Sequence, residues 1–129
     1  MSGELYINTL SWSEDIIHGF MSSYDVDYTV VANNPVFDED TRATGEMLLV
    51  NVDSRDKEEH LLNIRYSHPS DRIIYVGNGL SDIRCLMDAD VPIFIGENRR
   101  IMELLAETCP HIWFADNWYD VVEILEGIS

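Results

Sequence analysis

Residues 74-IYVGNGLSDIRCL-86 run from an apolar stretch into a Gly-Asn-Gly turn and on into a helix opened by Ser81 and Asp82. A short, wholly apolar strand of this kind is buried on both faces of a parallel sheet. Glycines flanking Asn78 predict a tight turn, with Gly77 and Gly79 supplying positive φ angles. Strand, Gly-rich turn and helix in that order are also a frame for binding an anion. The same pattern therefore reads either as a plain turn or as a site.

Working outward, strand-like and helix-like segments alternate. Residues 5–10 read as a strand, followed by the capping-box pattern Ser11-x-x-Glu14 and a helix over 13–23 with Trp12, Ile16, Ile17 and Phe20 at helical spacing. Residues 27–32 form the next strand. In 34-NPVFDEDTRATGEMLLVNVD-53, β-like runs at 36–37 and 47–52 flank a polar turn containing Gly45, which predicts a hairpin excursion. A helix over 56–66 turns Leu61, Leu62 and Ile64 inward and stops before Pro69. After the strand at 73–76 come a helix over 81–87, a strand over 91–95, a helix capped by Asn98, a strand over 111–115 and a helix capped by Asn117. The order predicts one domain over 1–129, an α/β three-layer sandwich with a mainly parallel sheet and a small hairpin excursion. Ligands in such sheets gather at the carboxyl ends of strands, here Thr9, Asn33, the Gly77–Asp82 loop and Gly96.

Composition narrows the function classes. There are 24 acids against 8 bases among 129 residues, a formal net charge of -16. That field repels nucleic-acid backbones and favours solubility, a basic partner or a cation. Cys85 and Cys109 form no CxxC and read as buried free thiols of a reducing compartment. No run approaches the roughly 18 apolar residues of a membrane span, and the start lacks a basic signal-peptide region. The expectation is a cytoplasmic protein, with the nucleus left open. The four histidines show no zinc-ligand spacing. Trp113, Trp118 and Tyr119 read as core or edge packing rather than a base-stacking platform.

Thr9 ends a strand and Lys57 begins a helix between the two loops. A hydroxyl, an ammonium and a loop carboxylate at strand ends suit a phosphoryl group. In this order they resemble the C-terminal two-thirds of a haloacid-dehalogenase (HAD) superfamily phosphatase of the phosphoserine-phosphatase-like kind. Residues 5-LYINTLSWSEDII-17 resemble the family's second motif, with Thr9 as its phosphate-binding hydroxyl. The Ser-Trp-Ser that follows is similar to a fungal subgroup. Residues 30-VVANNPVFDEDTRATG-45 resemble the strand, Ala-Asn and β excursion, and Lys57 stands at the third-motif lysine. Residues 74–86 resemble the fourth motif, Gly-Asp-Gly-x-Ser-Asp. The resemblance implies an aspartate nucleophile after a first strand, with Thr9 and Lys57 holding the phosphoryl oxygens. It also implies magnesium near the fourth-motif acids, where carboxylate oxygens anchor that ion.

Two departures from the pattern shape the functional expectation. Asn78 replaces the fourth motif's first aspartate and leaves Asp82 as the remaining acid, so the metal site reads as vestigial. The first motif and its strand are not found ahead of Thr9. The segment 25-DVDYTV-30 matches Asp-x-Asp-x-Thr in letters, yet Asp25 and Asp27 precede their strand instead of following one. The expectation is a catalytically inactive or incomplete HAD-like protein, a pseudophosphatase serving as an interaction or regulatory subunit and requiring no cofactor. A homo-oligomer or a protein partner would complete the sheet. The alternatives are a magnesium-dependent phosphomonoester phosphatase, taking its nucleophile from Asp25 or another chain, and a phosphate- or phosphopeptide-binding module.

Overall fold

A computed structural model of the protein describes residues 3–128. The chain divides between Asp56 and Lys57 into two compact units.

In the first unit, β1 (Tyr6–Asn8) pairs in parallel with β2 (Thr29–Val31), and α1 (Glu14–Met21) connects them. The predicted Ser11–Glu14 capping box does not form. Ser13 holds the cap position without a side-chain bond. Instead the Glu14 N–H donates to Asn34 Oδ1 at 2.8 Å, and Asn34 Nδ2 donates to Glu14 Oε2 at 2.9 Å. The returning chain supplies a partner that a local motif does not foresee. The hairpin is present as β3 (Asn34–Phe37) and β4 (Ala43–Leu48), antiparallel with a register shift between Pro35 and Phe37. Its turn is not at Gly45, which lies inside β4 with φ 86°. Asp38 makes the turn, its Oδ1 accepting the N–H groups of Asp40 and Arg42. An aspartate that folds back on its own backbone nucleates a turn more strongly than a nearby glycine does. Among the described residues of this unit only Ala32, Asn33 and Asn51 are buried. Its centre is therefore polar, held by directed hydrogen bonds.

The second unit is a three-layer α/β/α arrangement in itself. β5 (Ile74–Gly77), β6 (Val91–Ile95) and β7 (Trp113–Ala115) form a parallel sheet in the order β5-β6-β7. Side chains alternate across it. One face packs Phe94 and Tyr75 against Leu86 of α3 (Ile83–Asp88) and against Ile101 and Leu105 of α4 (Arg99–Thr108). The other packs Val91, Ile93 and Ala115 against Val121 and Ile124 of α5 (Trp118–Ile128). Phe94, Leu86, Ile93 and Leu105 are fully buried, each stabilising by about 1.5–3 kcal/mol. Asn98 caps α4 as predicted, its Oδ1 accepting from the Ile101 N–H. Asn117 does the same for α5 through Asp120 N–H.

Some inward assignments need correcting. Leu61 of α2 (Ser54–Ser67) is buried, but Leu62 is exposed. A helix turns 100° per residue, so two adjacent positions do not both face the sheet. Trp118 and Tyr119 are 64% and 84% exposed and belong to no core. Cys85 and Cys109 are buried free thiols, and burial raises both. Cys85 is pushed up to about 12. Among the described residues no helix is long and apolar enough to cross a membrane.

Candidate functional site

The loop that leaves β5 is organised around Asp82. After Gly77 the chain makes a 3-10 turn, Leu80–Asp82, which brings the Asp82 carboxylate back over the strand end. Its Oδ2 accepts the N–H groups of Asn78 at 3.0 Å and Gly79 at 3.2 Å. Its Oδ1 accepts Lys57 Nζ at 2.9 Å and the Tyr75 hydroxyl at 2.6 Å. The glycines work differently from expectation. Neither Gly77 nor Gly79 has a positive φ. Gly77 is needed for room, since a Cβ there would stand 2.5 Å from Asp82 Cβ and 2.9 Å from Oδ2. Ser81 lies in the 3-10 turn, half-buried beside Asp82.

Lys57 is the chain's only lysine. It sits in the first turn of α2, and its side chain and that of Asp82 are 9% and 6% exposed. Tyr75 completes the cluster from β5. Burial and the hydrogen bond it donates to Asp82 hold its hydroxyl protonated far above the ordinary tyrosine range. An ionised carboxylate has about four lone-pair directions, and four protein donors fill those of Asp82.

Magnesium asks for near-octahedral oxygen ligation anchored on carboxylates. Asp82 is saturated by its own chain, and exposed Asn78 contributes a neutral amide in place of a second acid. Among the described residues no three His, Cys, Asp or Glu side chains converge as ligands. As arranged, these residues do not fit a magnesium ion.

Thr9 belongs to the first unit. It follows β1, with its N–H donating to Val31 O at 3.0 Å and its Oγ1 accepting the Ser11 N–H at 3.1 Å. That geometry leaves the hydroxyl hydrogen as a donor. Two asparagines hold this strand end, Asn33, which the sequence places at a strand's carboxyl end, and Asn51, which it does not mark. Asn33 Oδ1 accepts the N–H groups of Val50 and Asn51, and its Nδ2 donates to the carbonyls of Asn51 and Leu10. Asn51 Nδ2 donates to Thr9 O at 2.8 Å and to Asn8 Oδ1 at 2.7 Å, while its own Oδ1 is buried without a donor. This capture corrects the predicted strand over 47–52: residues 50 and 51 turn to Asn33, and β4 ends at Leu48. A buried polar pattern has no hydrophobic period, and no signal beyond the paired Asn33-Asn34 marked it. Asp25 and Asp27 are exposed in the coil that precedes β2.

No protein-family model matches the chain, and no curated protein matches it. Solved structures do. A HAD family hydrolase from Salmonella enterica subsp. enterica serovar Typhi superposes with a TM-score of 0.59 at 20% identity, over 75% of this chain and 34% of that one. A substrate-bound phosphoserine phosphatase superposes with a TM-score of 0.64 at 18% identity, over 92% of this chain. The chain spans 55% of that phosphatase's length. The fold is HAD-like, an α/β architecture with a parallel sheet.

Proposed function

We propose that this HAD-like chain is a pseudophosphatase, an interaction or regulatory subunit that keeps the phosphatase fold without independent turnover. The observation that carries the reading is the closure of Asp82. Its carboxylate is committed to Lys57, Tyr75 and the loop backbone. In a phosphatase the lysine neutralises phosphoryl oxygens, and here its ammonium is neutralised inside the fold. The exposure of Asp25 and Asp27 ahead of β2 also supports it, since a nucleophile must be held rigidly in line with phosphorus.

A partner role is part of the same proposal. Among the described residues β1 pairs only with β2, and β5 only with β6. Neither β1 nor β5 carries the lysine or proline that blocks an open edge to a further strand. A second copy or a different protein supplies it.

The test is a phosphomonoesterase assay on the purified chain with p-nitrophenyl phosphate and magnesium. No turnover is expected, and Asn78→Asp is expected to remain inactive. Magnesium-dependent turnover that disappears in Asp25→Asn would overturn the reading in favour of an active phosphatase.

A further inference from the structure

The far edge of the second unit carries chemistry that the phosphatase-like loop does not use. β7 is the terminal strand of β5-β6-β7, so one side of Trp113–Ala115 pairs with β6 and the other pairs with no strand among the described residues. Beside it runs an open groove of about 360 Å³, lined by Trp113 and Phe114 of the strand and by Asp120, Glu123, Ile124 and Gly127 of α5. The four α5 residues stand at i, i+3, i+4 and i+7, a single face of the helix. Gly127 leaves the end of that face open, because a Cβ there would meet nothing within 4 Å. Across the groove, the Trp113 ring on the α5 face of the sheet opposes two carboxylates, while the Phe114 ring packs on Phe94 at the other face.

The surroundings share the same sign. After Arg100 the sequence has no Lys or Arg, and it carries Glu103, Glu107, Asp116, Asp120, Glu123 and Glu126. Trp113 and Phe114 are both exposed, and Phe114 is fixed edge-on against Phe94 with centroids 6.4 Å apart. β7 is three residues long and carries no lysine, proline or bulge at its edge. A second copy of the chain would bring Asp120 and Glu123 into a like-signed surface, which disfavours self-pairing.

We propose that the groove between β7 and α5 is a docking site for a basic, extended protein segment that adds a strand to the β7 edge. Main-chain hydrogen bonds to β7 hold it, as in other strand-addition complexes. Alternate Lys or Arg side chains, those on the α5 face, lay their aliphatic stems on Trp113 and direct their charges to Glu123 and Asp120. The proposal is independent of whether the Asp82 loop is catalytic, because no residue of that loop takes part.

The probe is a fluorescently labelled peptide alternating lysine and valine, followed by anisotropy. Its controls are the glutamate–valine counterpart and a version N-methylated on alternate amides. Binding is expected for the lysine peptide alone, weakening by about tenfold or more in Glu123→Lys and again in Trp113→Ser. Raising salt from about 50 to about 500 mM should weaken it further. Unchanged melting of both variants shows that the fold is intact. Equal binding of the N-methylated peptide, or undiminished binding to the Glu123→Lys/Trp113→Ser double variant, means general attraction to a -16 protein and overturns the proposal. Absence of binding overturns it too, as does a concentration-dependent dimer in sedimentation that Trp113→Ser abolishes.

Discussion

Gly77 and Asp82 share a space that holds only one side chain: a Cβ on Gly77 would lie 2.6 Å from Asp82 Cγ. Gly77→Ala should therefore push the carboxylate away from Lys57, Tyr75 and the loop amides. Overpacking of this kind costs about 1–3 kcal/mol. Urea unfolding measures it. Gly79→Ala, where the space is open, should cost less, and equal losses at the two glycines would contradict the steric account.

The buried ion pair gives an asymmetric expectation. Asp82→Ala strands a buried ammonium, the Tyr75 hydroxyl and two loop amides together. The loss should be about 3–5 kcal/mol. Lys57→Met leaves Asp82 with three of its donors and should cost less. Denaturant midpoints of the two single variants and the double variant separate pair energy from packing.

A pH dependence follows from Asp88. Burial, with the hydrogen bond it shares with Glu58, raises its carboxyl to about 6. The unfolded value is about 3.9. In between, the folded chain holds the proton and the unfolded chain does not, so this group stabilises the fold below about 4 and loses that contribution as pH rises through about 6. The partner Glu58 is lowered, first by the bond to Asp88, and acts in the opposite sense at lower pH. Melting temperature of Asp88→Asn relative to the parent should rise between pH 5 and pH 7, read at constant ionic strength. A flat difference would sink the assignment.

Asn33→Ala should loosen the first unit locally. Its amide serves two N–H groups and two carbonyls, and stranding buried groups costs about 1–3 kcal/mol. Hydrogen exchange at the amides of Val50 and Asn51 should accelerate. Exchange at Phe94 in the other unit should not.

Much of the second unit was legible because its residues obey a single period. The apolar runs at 73–76 and 91–95 have no competing interpretation, and Asn98 and Asn117 cap the helices that follow. The pairing of Lys57 with Asp82 was not legible: spacing places each at an element end but says nothing about which partner a side chain takes. The first unit was harder for a different reason. Its order rests on Asn33, Asn34 and Asn51 reaching across 17 to 43 residues of sequence. Such contacts leave no trace in hydrophobic patterning. Trp118 and Tyr119, expected at the core or an edge, stand at the start of α5 and are exposed.

The closure around Lys57 has a practical corollary. Every other cation of the chain is an arginine or a histidine, so acylating reagents meet just one side-chain amine, and it is tied to Asp82. Slow acetylation would then act as a clock, with each modified molecule recording one opening of the loop.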